Sequence, residues 1–100
     1  KTNYWMEFTV PGNRKKRRIN CNLNSKYFNP QGIPLTKLKE IELSIEEVEA
    51  LRLTNIIGLD QEACGKEMQV SRQTIQRTLK SAYKKITEAL IKGYALKIIT

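Results

Sequence analysis

A chain of 100 residues with 18 Lys and Arg against 10 Asp and Glu carries a formal charge of +8, which suits a polyanionic partner. It contains no histidine, the commonest general base and transition-metal ligand, and no Gly-rich phosphate loop, nucleophile elbow or metal-ligand spacing takes its place; neither an enzyme nor a cofactor is expected. No apolar run approaches membrane-spanning length and no signal-peptide pattern is read at the start, so the expectation is a cytoplasmic protein with one small core and no membrane partner.

Residues 4–10 alternate, with Met6, Phe8 and Val10 on one side and Glu7 and Thr9 on the other, as in a short strand. Pro11-Gly12-Asn13 breaks it. The basic block Arg14, Lys15, Lys16, Arg17, Arg18 follows, and then Ile19, Cys21 and Leu23 alternate with asparagines. A hairpin and an extended arm both remain open here. An arm could enter a DNA minor groove, where narrow A·T tracts attract arginine, or stay solvated. Pro30, Gly32 and Pro34 forbid a regular helix, so residues 29–35 should run extended, pinned by Tyr27 and Phe28. The expected division is an extended basic segment over residues 1–35 and a helical domain with a C-terminal strand over 36–100.

Ser44-Ile45-Glu46-Glu47 matches a capping box and sets a helix start. Val48, Leu51, Leu53 and Ile56 should supply the buried side of this helix, and Gly58 should end it. Five of the ten acids lie between Glu40 and Glu49, either as a solvated face or as a docking surface for a basic partner. Asp60 can cap a short helix ending near Met68, and Ser71 a longer one ending near Gly93, because both side chains accept orphan amide protons. At about 100° per residue, Ile75, Leu79, Ala82, Ile86 and Ala89 fall on one arc of the long helix, and Gln73, Gln76, Arg77, Lys80 and Lys84 on another. Residues 94–99 then read as a terminal strand, which needs a partner. Residues 4–10, residues 19–23 and a second copy of the chain are the candidates. Two cysteines are too few for a disulfide framework; Cys64 falls on a core position of the short helix, and both it and Cys21 read as free thiols.

The run 62–86, with Gly65-Lys66, Val70-Ser71-Arg72 and Ala82 before Lys84-Lys85, resembles the promoter-reading helix-turn-helix of region four in sigma-70-type factors. More narrowly, KKRRI, KYFNPQGIPL, VEALRL and GLDQEACGKEMQVSRQTIQRTLKSAYKKITEALIKGYAL are similar to an uncharacterised prokaryotic family of predicted DNA-binding proteins. The resemblance covers roughly residues 15–96 and implies a mainly α domain of three to four helices with short terminal strands. It departs at Gln69, where such turns commonly place Gly for its positive φ. It departs also at Cys21, which follows the basic block where relatives often carry a cysteine inside it.

The resemblance implies a DNA-binding role, and the leading expectation built on it is sequence-specific binding of double-stranded DNA by a transcriptional regulator, a homodimer with recognition helix 72–90 in the major groove and half-sites about 34 Å apart. Arg72, Gln73 and Gln76 would read base edges, Arg on guanine and Gln on adenine. Lys66, Ser71, Thr74, Arg77, Lys80 and Lys84 would lie against the phosphate backbone. Two other classes stay open: a sigma-like module docking on RNA polymerase through Glu46, Glu47 and Glu49, and an RNA-binding protein using the basic block with Tyr27 and Phe28.

Overall fold

The computed structural model describes residues 6–8 and 17–100, with residues 6–8 and Arg17 as backbone. Arg14, Lys15 and Lys16 of the expected arm lie outside the described residues, as do both ends of the first expected strand. The described part of that strand is β1 (Met6–Phe8), antiparallel to β2 (Arg17–Ile19), with Met6 opposite Ile19 and Phe8 opposite Arg17. Of the two readings left open for this stretch, the pairing selects the hairpin. Ile19 and Cys21 then enter the same core as the helices, so residues before 35 help build that core.

A second sheet is assembled from β3 (Tyr27–Phe28), β4 (Glu40–Ser44) and β5 (Ala95–Ile99), in the order β3-β5-β4. β5 runs antiparallel to β3 and parallel to β4, from Glu40 opposite Ala95 to Ser44 opposite Ile99. None of the three partners expected for the terminal strand is used. Its principal partner is β4, which the sequence reading did not anticipate. Glu40-Ile41-Glu42-Leu43 does alternate at period two, with Glu40 and Glu42 exposed and Leu43 buried. It runs without a break into the helix cap at Ser44, however, and so its acids read as the front of an acidic helix. The architecture is therefore mixed, with helices predominating as expected: three α-helices and a π turn, closed by a small three-stranded sheet.

The helices are α1 (Ile45–Leu51), α2 (Gln61–Met68) and α3 (Arg72–Lys92), with a π turn over Arg52–Ile57. The three expected caps are present: Ser44 accepts from the Glu47 amide at 3.1 Å, Asp60 from Ala63 at 2.8 Å and Ser71 from Thr74 at 3.1 Å. In the π turn the Gly58 amide reaches back five residues to the Leu53 carbonyl, and the Thr54 hydroxyl occupies the Ala50 carbonyl at 2.8 Å. The wider turn breaks the helical register. Leu53 is buried and Ile56 is 78 % exposed, which corrects the expectation that Ile56 packs inward.

Two of the glutamates expected on a solvated or docking face are core residues. Glu49, 1 % exposed, accepts from the Asn20 amide at 3.0 Å and from Arg52 through Nε and Nη2 at 2.8 and 2.9 Å, tying α1 to the chain after β2. Glu47 completes its capping box through the Ser44 amide at 2.8 Å and also receives Lys85 Nζ at 2.8 Å and Ser81 Oγ at 2.6 Å from α3. Burial pushes the Glu47 carboxyl pKa up, but the hydrogen bonds from Lys85, Ser81 and the Ser44 amide outweigh it and hold the pKa below its ordinary 4.5.

Between α2 and α3 the chain turns in three residues. Gln69 adopts the left-handed conformation that position demands, with φ 63 and ψ 43. The Val70 amide closes the end of α2 on the Gly65 carbonyl at 2.9 Å. A Cβ on Gly65 would stand 2.8 Å from the Val70 carbonyl oxygen, so glycine is required for the close approach of the turn.

Because the Glu47 pKa is lowered on folding, its contribution is present above the ordinary carboxylate range and is lost as pH falls through the folded value. Thermal melts should show stability dropping as pH falls below the ordinary carboxylate value of 4.5, and Glu47→Gln should flatten that drop while costing about 2 kcal/mol at neutral pH. Chemical denaturation should find Gln69→Gly more stable by about 0.5–1 kcal/mol, through relief of left-handed strain, and Gly65→Ala less stable by about 1–3 kcal/mol.

Candidate nucleic-acid interface

The first three turns of α3 present their polar arc to solvent. Ile75, Leu79 and Ala82 are buried against the core, as is Ala89 farther along, while Ile86 is half-buried. On the other side Arg72, Gln73, Gln76, Arg77, Lys80 and Lys84 are all exposed. They are brought together along about 18 Å of helix, at 1.5 Å per residue. Lys66, on α2, is exposed as well.

The cations of this part of the chain fall into two sets. Lys85 is paired with Glu47, Lys92 with Glu88 at 3.0 Å, and Arg52 with Glu49. Arg72, Arg77, Lys80, Lys84 and Lys66 are engaged in no ion pair or hydrogen bond among the described residues. A side chain already holding a carboxylate must give it up to meet a phosphate, whereas one held only by water need not. The four of the unengaged set that lie on α3, Arg72, Arg77, Lys80 and Lys84, share an arc with Gln73 and Gln76, whose amides can each donate and accept.

The remaining polar groups near these elements already have partners or are partly buried. Ser71 Oγ is occupied as the cap of α3 and lies 3.0 Å from the Thr74 hydroxyl, and Thr74 is half-buried; both serve the helix start. At the head of α2 the Asp60 carboxylate takes the Ala63 amide, so that end offers an acid as well as amides to any anion. Arg18 is half-buried rather than extended into solvent. Tyr27 donates its hydroxyl to Glu40 at 2.8 Å, which sets a carboxylate beside the aromatic pair Tyr27 and Phe28.

Cys21 and Cys64 are both buried and unpaired. Burial, reinforced by the charge of Glu49, pushes each thiol up to about 11, so both are protonated and unreactive at neutral pH. Among the described residues no three His, Cys, Asp or Glu side chains are grouped to hold a metal ion, and no helix is long and apolar enough to cross a membrane.

The two buried glutamates were missed as anchors. Ser44 and Glu47 were legible as a capping box, but the partners Ser81 and Lys85 lie on another helix, and no local pattern announces them.

Comparison with known proteins finds relatives of undetermined function. A UPF0251 protein of Halothermothrix orenii is 52 % identical over 83 % of this chain and 62 % of its own length. A UPF0251 protein of Desulforudis audaxviator is 46 % identical over 84 % of the chain and 55 % of its own length. One from Dehalococcoides mccartyi is 47 % identical over 89 % of the chain and 76 % of its own length. The chain thus spans less than two thirds of the first two relatives. No solved structure matches it. Residues 9–100 match the family described as Protein of unknown function DUF134, and the chain belongs to that family.

Proposed function

We propose that the chain is a sequence-specific binder of double-stranded DNA and a transcriptional regulator. In this reading α2 and α3 form a helix-turn-helix akin to sigma-70 region four, with α3 in the major groove. The observation that carries it is the set of unengaged cations and amides on the exposed arc of α3, whereas Arg52, Lys85 and Lys92 are tied to carboxylates. The three-residue turn supports it, since Gln69 and Gly65 hold α2 against the start of α3 and leave the N-terminal turns of α3 as the leading surface.

Arg72, Gln73 and Gln76 sit where base edges would be met, and Arg77, Lys80 and Lys84 farther along, where the backbone passes. The protein acts as a homodimer on a palindromic site. DNA is favoured over docking on RNA polymerase because Glu47 and Glu49, two of the three acids such docking would use, are buried in ion pairs. It is favoured over RNA because the exposed pair Tyr27 and Phe28 stands beside Glu40, which repels phosphate.

Selection of bound duplexes from a random pool should return one preferred site. Gln73→Ala and Gln76→Ala should each relax preference at one base position by about 1–3 kcal/mol. Arg77→Ala, Lys80→Ala and Lys84→Ala should weaken all sequences alike, each lowering the salt slope by about 1. A pool that emerges without preference, and binding indifferent to Arg72→Ala with Gln76→Ala, would sink the reading.

A further inference from the structure

The solvent face of α3 changes character along its length. Its first turns are basic and amide-rich, but from Tyr83 onward Tyr83, Thr87, Leu90 and Ile91 are exposed between Lys84 and Lys92, with Leu90 and Ile91 76 and 79 % exposed. Beside them lies the π turn, because Asn55 Nδ2 donates to the Tyr83 hydroxyl at 2.8 Å. That turn carries Ile56 and Ile57, also exposed. Tyr83 is thereby held in one orientation, and two elements share one surface.

We infer that this surface, centred on Tyr83 and Ile91 with Ile56 and Ile57 at its side, is where a second copy of the chain docks. It names the contact of the homodimer in the proposed function and in that sense rests on that reading.

Area and charge both identify the occupant. The exposed fractions of Ile56, Ile57, Tyr83, Leu90 and Ile91 amount to roughly 600 Å² per chain, at the upper end of the range of the largest apolar patch on a typical monomer. A standard interface buries about 800 Å² per partner, about 65 % of it apolar in homodimers, so the patch supplies what one such interface needs. The apolar patch residues are uncharged; of the two lysines at its border, Lys92 is neutralised by Glu88 and Lys84 carries the one unpaired charge there among the described residues. On a chain of net charge +8 an acidic partner is drawn to the basic arc instead. A partner bearing the same +8 meets least repulsion here, and a second copy is such a partner. The contact occupies the last turns of α3; the side chains from Arg72 to Lys80 lie N-terminal to it, and Lys84 lies at its border.

Sedimentation equilibrium of the intact protein without DNA tests this directly. At about 100 µM the wild type should sediment as a dimer, and association should strengthen as salt rises, because salt screens like charges. Tyr83→Glu with Ile91→Glu should raise the dimer dissociation constant at least about a hundredfold while the circular dichroism spectrum stays unchanged. Leu35→Glu, equally exposed but on the short 3-10 turn Leu35–Lys37, should leave the dimer intact and shows that any loss is specific to the patch. A monomeric wild type, a double variant that still dimerises, a Leu35→Glu variant that dissociates equally, or association that weakens with salt would each overturn the inference. Should the double variant fail to fold, Thr87→Arg provides the same test on one side chain. DNA binding enters none of these readings, so a failure of the DNA proposal would show only in the duplex selection.

Discussion

The carboxylate of Glu47 is the junction on which the helical unit depends. It closes the cap of α1 through the Ser44 amide and, with the same two oxygens, receives Ser81 and Lys85 from α3. A buried charge is tolerated only where its lone pairs are filled, and here they are filled from two helices. The exchange fixes α3 in rotation as well as position. With Ser81 and Lys85 turned toward α1, the arc bearing Gln73, Arg77, Lys80 and Lys84 is left facing outward. Glu49 does the same toward the N-terminal side, joining α1 to Asn20 and to its own neighbour Arg52. The outward face of α3 is therefore set by a carboxylate that is itself buried.

The turn between α2 and α3 works by close approach. Gly65 lets the Val70 carbonyl come within a distance that any Cβ would forbid, and Gln69 accepts a left-handed backbone that costs a non-glycine residue about 1 kcal/mol. The strain is local and is compensated by capping on both sides, from the Gly65 carbonyl and from Ser71. α3 then runs 21 residues without interruption to Gly93, whose φ of 72 ends it. One helix thus carries an inward apolar face throughout and two kinds of outward face in succession.

Most of the helical unit was legible in the sequence because its signals are local. Ser44, Asp60 and Ser71 each announce a helix by a side chain that bonds its own first turn, Gly58 and Gly93 announce the ends, and the spacing of Ile75, Leu79 and Ala82 names the buried face. The polar arc of α3 followed from the same period. What escaped was non-local or irregular. β4 is paired across the whole helical unit, and its alternation is masked by merging with a helix cap. The π turn departs from the assumed period and so moved Ile56 from the core to the surface. Glu47 and Glu49 have the charge of solvated residues, and their burial is decided by Lys85, Arg52 and Asn20 rather than by composition.

The parallel pairing of β4 with β5 has a consequence for how the chain reaches this state. α1, the π turn, α2 and α3 all lie within the connection between those two strands, so the pairing that closes the sheet joins residues from opposite ends of the helical unit. Loop-closure entropy must be met before that pairing is rewarded, while each capped helix forms from neighbours. β5 therefore acts as a clasp: its pairing with β4 holds the two ends of the helical unit together and depends on the packing of what lies between them.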